Sequence, residues 1–333
     1  MKHTRVLRTS ALLAIAALAL SGCAGSAPAA KESSDAANGE AGFPRTIEHF
    51  RGTTEIPEQP TRVAALDTSY VDGALLLGAE VVAYPEYRLR DQGFPAYLGD
   101  VSELTDEAVS VGTLQEPDLE KLLATEPDLI ISADLRQGPL FDQFQKIAPT
   151  VFSEVVGATW KENIVLLGEA LGKETQAKQA VADYEQRAAA VGKEILAKDD
   201  ETTYTLVRFM GEDTARLYSS ESFIGEVMAD MGIPRPAEAP DTDQTVFTQL
   251  SPEEILTADA TVIFQATSAP EGSEGDAARA QADSFTANPL WTRLEGDVME
   301  VSDEIFLTSV SIQGANEVIT QVAEHFKVDP HLP

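Results

Sequence analysis

The stretch from Glu174 to Lys198, ETQAKQAVADYEQRAAAVGKEILAK, sets the plan of the chain, because no other segment keeps a helical pattern unbroken for so long. Its larger apolar side chains fall at Val181, Tyr184, Ala188, Val191 and Ile195, steps of three and four that line one face of an α-helix. Lys, Gln, Glu and Arg fill the opposite face. No Pro interrupts it, and its one glycine, Gly192, costs roughly 1 kcal/mol against Ala. At about 1.5 Å per residue it spans on the order of 37 Å, the width of a small domain, so it can act as a strut.

On either side of the strut, strand, loop and helix alternate. Before it, RVAALD (Arg62 to Asp67) and EVVAY (Glu80 to Tyr84) are short apolar strands around a helix from Tyr70 to Leu77, with Thr68-Ser69 as N-cap candidates and Gly78 as the stop. Helices over Leu119 to Ala124, Leu140 to Ile147 and Trp160 to Leu171 alternate with strands DLIIS (Asp128 to Ser132) and Thr150 to Phe152. A small hairpin, Thr46 to Phe50 and Thr53 to Ile56, precedes them. After the strut come strands YTLVRF (Tyr204 to Phe209), ATVIFQ (Ala260 to Gln265) and Asp297 to Val301, with helices at Phe223 to Met231 and Gln313 to Phe326. Ile233 to Pro240 and Ala269 to Gly275 read as surface loops. Repeated units of this kind imply parallel strands with right-handed crossovers. The expected fold is α/β: two Rossmann-like lobes joined by one long α-helix, with a ligand cleft where the carboxyl ends of both sets of strands meet.

The N-terminus is an export signal. Residues 1–22 have a basic start (Lys2, Arg5, Arg8) and an apolar run from Ala11 to Leu20 too short to span a bilayer. The run ends in Leu20-Ser21-Gly22-Cys23, and Cys23 is the only cysteine, which excludes an internal disulfide and any Cys-rich zinc site. Residues 24–42 are mostly Ala, Ser, Gly, Glu and Lys, without an aromatic residue, and form a flexible tether. The expected plan is therefore 1–22 signal, 23–42 Cys and tether, 43–172 first lobe, 173–198 strut and 199–333 second lobe. With 24 basic and 55 acidic side chains the net charge is −31, which repels nucleic acid.

No catalytic constellation is present. GxSxG and HExxH are absent, and Gly168 to Lys173 misses the P-loop spacing, with Glu174 where Ser or Thr is required. Of four histidines only His49 lies in a plausible N-terminal strand, too few for a Zn or Mn centre or a Ser-His-Asp hydrolase. What the strand ends do offer is arginine and aromatic rings: Arg208 with Phe209, Arg136 after DLIIS, and Tyr87-Arg88-Leu89-Arg90 after EVVAY. Arginine's forked donors suit an anionic or carbonyl-rich ligand, although each could equally pair with a surface acid. Trp160, Tyr218, Trp291 and Phe306 fit core or cleft wall.

Several segments in common order carry a family resemblance: the Phe43-Pro44-Arg45-Thr46 opening with GTTEIPEQPTRVAALD, VGTLQEPDLEKLLATEPDLIISAD, IAPTVF followed by Trp160 and the strut, SFIGEVMADMGI, LSPEEIL and NPLWTRLEGDVMEV. Together they resemble the ferric-siderophore substrate-binding lipoproteins of bacterial ABC importers. LSGC resembles their lipobox, which implies that Cys23 is acylated and anchors the protein to the cell membrane on its extracytoplasmic face. The resemblance further implies a monomer that moves little on binding, captures a ferric siderophore and delivers it to an ABC importer permease. It implies no catalysis, no cofactor and no protein side chain bound directly to the metal, since iron arrives chelated. Glu120 in the first lobe and Glu253 in the second, with Glu254 adjacent, match the acids that dock on permease arginines. Arg208 matches a ligand-contacting arginine; Arg136, Arg88 and Arg90 would donate to chelating oxygens, with Tyr87, Trp160, Tyr218 and Phe306 as walls. The same fold taking cobalamin or haem is the nearest alternative, ahead of a lipid-anchored hydrolase or an adhesin.

Overall fold

A computed structural model describes residues 42–89 and 93–332; the signal, Cys23, most of the tether and Arg90 lie outside the described residues. The hairpin comes first in the chain, β1 (Arg45–His49) against β2 (Gly52–Ile56), and the Phe50 N–H donates to the Phe152 carbonyl at 3.0 Å.

The first sheet holds β3 (Arg62–Ala65), β4 (Glu80–Tyr84), β5 (Val109–Ser110), β6 (Leu129–Ala133) and β7 (Thr150–Ser153). All pairs are parallel and the order is β5-β4-β3-β6-β7. Its helices are α1 (Thr68–Leu76), α2 (Ser102–Thr105), α3 (Leu119–Ala124), α4 (Asp134–Gln137), α5 (Phe141–Phe144) and α6 (Trp160–Leu171). The cap of α1 is Asp67 rather than Thr68 or Ser69: its carboxylate accepts the Ser69 N–H at 3.0 Å. Alternate residues of β6 point to opposite layers, Leu129 and Ile131 inward and Ile130 outward, so the strand is buried on both faces and its sequence is an unbroken apolar run.

The strut is α7 (Glu174–Leu196), reached from α6 through Gly172 in the left-handed conformation at φ 68. Beyond it lie β8 (Tyr204–Phe209), β9 (Ala215–Tyr218), α8 (Phe223–Asp230), β10 (Phe247–Leu250), β11 (Val262–Thr267), α9 (Ser273–Thr286), β12 (Asp297–Val301) and α10 (Ile312–Phe326). The sheet order is β10-β9-β8-β11-β12. This second sheet is mixed, not wholly parallel: β9 runs antiparallel to both β8 and β10. Part of the expected loop at 269–275 is helical, because α9 starts at Ser273.

The inner layers of both lobes form one hydrophobic core. It runs from Val63, Val71 and Leu167 through Trp160, Tyr184 and Val191 on α6 and α7 to Leu206, Phe223, Phe264 and Val318. Gly192 allows α7 to approach α8 closely, since a Cβ there would lie 1.7 Å from the Met231 carbonyl oxygen. Polar bonds stitch the same joint. Lys161 on α6 and the Tyr184 hydroxyl both donate to Asp230 on α8, at 2.8 and 3.0 Å, and Arg187 donates to the Asn316 carbonyl and the Thr320 hydroxyl of α10, each at 2.8 Å.

Asp72, on the buried face of α1, is the most unusual of these ties. It is fully buried, its carboxylate accepts from the Tyr97 hydroxyl at 2.8 Å and from Ser311, the cap of α10 in the second lobe, at 2.7 Å. Tyr87 lies at 3.4 Å, and Gln313 donates to the Asp72 carbonyl at 2.8 Å. No cation is among these partners, so burial pushes the Asp72 carboxyl up to about 7 against the pull of its hydroxyl donors.

Candidate functional site: the facing strand ends of the two lobes

In each sheet the chain turns from one direction of winding to the other, between β3 and β6 in the first lobe and between β8 and β11 in the second. Open α/β sheets take ligands in the crevice outside such switch points. Two of the arginines picked out from the sequence, Arg136 and Arg208, fall at these places. Arg136, just past β6, donates through Nε to Asp67, just past β3, at 2.8 Å, which pins it across the first switch point. Arg208 is near the end of β8, on the inner face.

Arg208 is already occupied. Its Nη2 donates to Asp303 at 2.7 Å, its Nε bonds the other oxygen of the same carboxylate, and its Nη1 donates to the Tyr218 hydroxyl at 2.8 Å. The two charged side chains are 8% and 3% exposed, a dry bidentate pair. Burial opposes its charge, but Tyr218 and Asp303 outweigh that and raise the guanidinium's pKa. Three of five N–H donors are thus committed, and at most two can reach a ligand.

Next to it stands a second arginine, Arg216 on β9, stacked over Phe247 at 4.4 Å and paired with Glu212, whose Oε2 accepts from Nε at 3.1 Å. Bonding to Arg216 holds the Glu212 carboxyl below its ordinary range, and the charges of Arg208 and Arg88 add to this. Glu212 is thus in direct contact with Arg216 and within electrostatic reach of an arginine from each lobe. Arg88 spans the lobes itself, 3.3 Å from Glu274 on α9, with both side chains largely exposed.

The expected aromatic walls need correction. Phe306 is 0% exposed and packs on Phe264 at 5.2 Å, so it is core. Trp160 is wedged between Tyr184 and Phe223 at the base of the interlobe joint, 3% exposed, and borders a cavity of about 10 Å³ shared with Ser69, Gly73 and Ser311. Tyr87 turns inward towards Asp72. Tyr218 stays at the site as the hydroxyl that orients Arg208. Sequence reading missed Arg216, Glu212, Asp303 and Phe247. Only Arg216, a basic residue inside ARLY, left any local signal.

The two acids matched to docking positions are exposed and differ from their neighbours. Asp118 caps α3 through the N–H groups of Glu120 and Lys121, which leaves the Glu120 side chain pointing outward. In the second lobe Glu254 is tied to the Ser251 hydroxyl at 2.8 Å, while Glu253 is exposed. His49 bonds Thr54 at 2.9 Å within the hairpin, away from the strand ends. Among the described residues no group of three or more His, Cys, Asp or Glu is placed to hold a metal, and no helix is long and apolar enough to cross a membrane.

A family model described as periplasmic binding protein matches residues 63–295, which include both sheets up to the edge of β12 and the strut. The chain belongs to the periplasmic binding protein family. Among curated relatives of this periplasmic binding protein, the probable siderophore-binding lipoprotein YfiY of Bacillus subtilis is 29% identical over 94% of this chain and 95% of its own. The Fe(3+)-citrate-binding protein YfmC of the same organism is 27% identical over 87% and 86%. Among solved structures, Staphylococcus aureus SirA complexed with staphyloferrin B superposes with a TM-score of 0.76 at 26% identity, covering 86% of this chain and all of SirA. FeuA of Bacillus subtilis complexed with ferri-bacillibactin, at 21% identity and a TM-score of 0.68, shares the fold.

Proposed function

We propose that this periplasmic binding protein is the substrate-binding component of an ABC importer that captures ferric siderophores outside the membrane and delivers them to the permease. The observation that carries the reading is the near-full-length match to relatives named for siderophore and ferric-citrate binding, on a fold whose strand ends gather Arg88, Arg136, Arg208 and Arg216. These arginines supply N–H donors to the oxygens of a chelate that brings its own iron, so the protein acts without a cofactor and without catalysis. It works as a monomer. Cys23, acylated, holds it at the extracytoplasmic face of the cell membrane, and Glu120 and Glu253 meet the permease.

Titration of the mature protein with ferric hydroxamate, ferric catecholate, ferric citrate, haem and cobalamin tests this. The chain has two tryptophans, Trp160 and Trp291, and both are buried reporters of the lobe interiors. Saturable quenching by a ferric chelate is expected. Saturation by haem or cobalamin alone would refute it.

A further inference from the structure

Before any ligand arrives, the charges at the strand ends are already balanced. At the carboxyl edges of the two sheets Arg88, Arg136, Arg208 and Arg216 each have a carboxylate partner, Glu274, Asp67, Asp303 and Glu212, and Arg51 of the hairpin is likewise paired, with Asp134 just past β6. Two of these carboxylates, Asp67 and Asp303, are 3% exposed, so their positive partners cannot leave them without stranding a buried charge. The loops that follow the strands add Glu86, Glu154 and Asp213, all exposed. Among the described residues these loops carry no lysine. The field met by an incoming ligand is therefore neutral to negative, in spite of the arginines.

Chelation chemistry turns this into selectivity. A hydroxamate gives up one proton on binding iron and a catecholate two, so a ferric ion held by three hydroxamates is neutral and one held by three catecholates is a trianion. We infer that the site takes ferric complexes of low net charge, of the trihydroxamate kind, and discriminates against ferric tris-catecholates; this rests on the ferric-siderophore reading above. The paired arginines act as oriented N–H donors towards the chelate's oxygens and not as free positive charge. Each uncompensated carboxylate about 8 Å from a trianion weakens its binding on the order of tenfold, even at the dielectric constant of water. A neutral complex is spared that repulsion.

The test is calorimetric titration of the mature protein with ferrichrome, a neutral trihydroxamate, and with ferric enterobactin, a tris-catecholate, at low and high salt. Ferrichrome is expected to bind at least about a hundredfold tighter, with little salt dependence, while enterobactin gains affinity as salt screens the repulsion. Glu212→Gln, a change at a largely exposed side chain, should narrow the ratio of the two affinities about tenfold. Enterobactin binding as tightly as ferrichrome, or losing affinity as salt rises, would overturn the charge argument while leaving the ferric-siderophore reading intact. Binding of neither complex while ferric citrate still binds would overturn the preference for trihydroxamates alone; binding of no ferric chelate would overturn both.

Discussion

Replacing Asp72 by Asn should change how stability depends on pH, by an amount that follows from where the carboxyl sits. In the unfolded chain this group titrates near the ordinary aspartate value of 3.8; in the folded protein burial lifts it to about 7. The groups facing it are the hydroxyls of Tyr87, Tyr97 and Ser311, with the charge of Asp67 on the same side raising it further. Between the two values the folded state keeps a proton that the unfolded state has lost. Stability from this group is therefore greatest below 3.8, falls as pH rises through the window and levels off above about 7. A shift of this size corresponds to about 4 kcal/mol in full, of which about 2.5 kcal/mol is lost between pH 5 and pH 8. The other acids contribute equally to wild type and Asp72→Asn, so the difference between the two isolates Asp72. Urea unfolding at several pH values provides the assay. With a slope of about 3 kcal/mol/M, the midpoint of Asp72→Asn relative to wild type should rise by roughly 0.8 M between pH 5 and pH 8. Curves that stay parallel across that range would show that Asp72 is ionised throughout, and the account of the interlobe joint would fail.

Gly192→Ala should destabilise by about 2 kcal/mol or more, because the added methyl meets the Met231 carbonyl oxygen and α8 must shift; an unchanged melting temperature would show that α7 and α8 are not spaced by that contact. Asp303→Ala leaves Arg208 buried with only Tyr218 and should cost about 3–5 kcal/mol in denaturant unfolding, whereas Glu212→Ala, at a more exposed pair, should cost at most about 1 kcal/mol. Glu253→Arg is expected to abolish uptake of labelled ferric complex by whole cells without changing affinity. Glu254→Ala removes only the bond to the Ser251 hydroxyl and should leave uptake preserved, and the reverse pattern would move the docking role to Glu254.

The parts of the fold that could be read from sequence are those whose signal is local. DLIIS and YTLVRF are buried on both faces and appear as continuous apolar runs, and the strut announces itself through its periodicity. The strands β9 and β10 are four residues each, with Arg216 and Gln249 among them, too short and too polar to stand out. The helix α9 presents Gly275, Ala278 and Ala282 inward, so its buried stripe has little hydrophobic contrast, and the Pro and Gly just before it suggested a loop. At the site, the arginines were visible but their partners were not. Asp303 is separated from Arg208 by 95 residues, and no spacing rule links them. Asp72 within YVDGALL carried the opposite message to its true position, because an acid in a helix is normally at the surface.

The single core beneath both lobes has a consequence for traffic at the membrane. On the docking role proposed above, Glu120 and Glu253 ride on bodies held together by Trp160, Tyr184, Phe223 and the ties at Asp72 and Asp230, so the gap between the two acids is expected to change little with cargo. A permease that gauges only this gap meets the same visitor whether it comes full or empty. Unloaded copies then queue for the same dock as loaded ones, and import slows once receptors outnumber the iron complexes they carry.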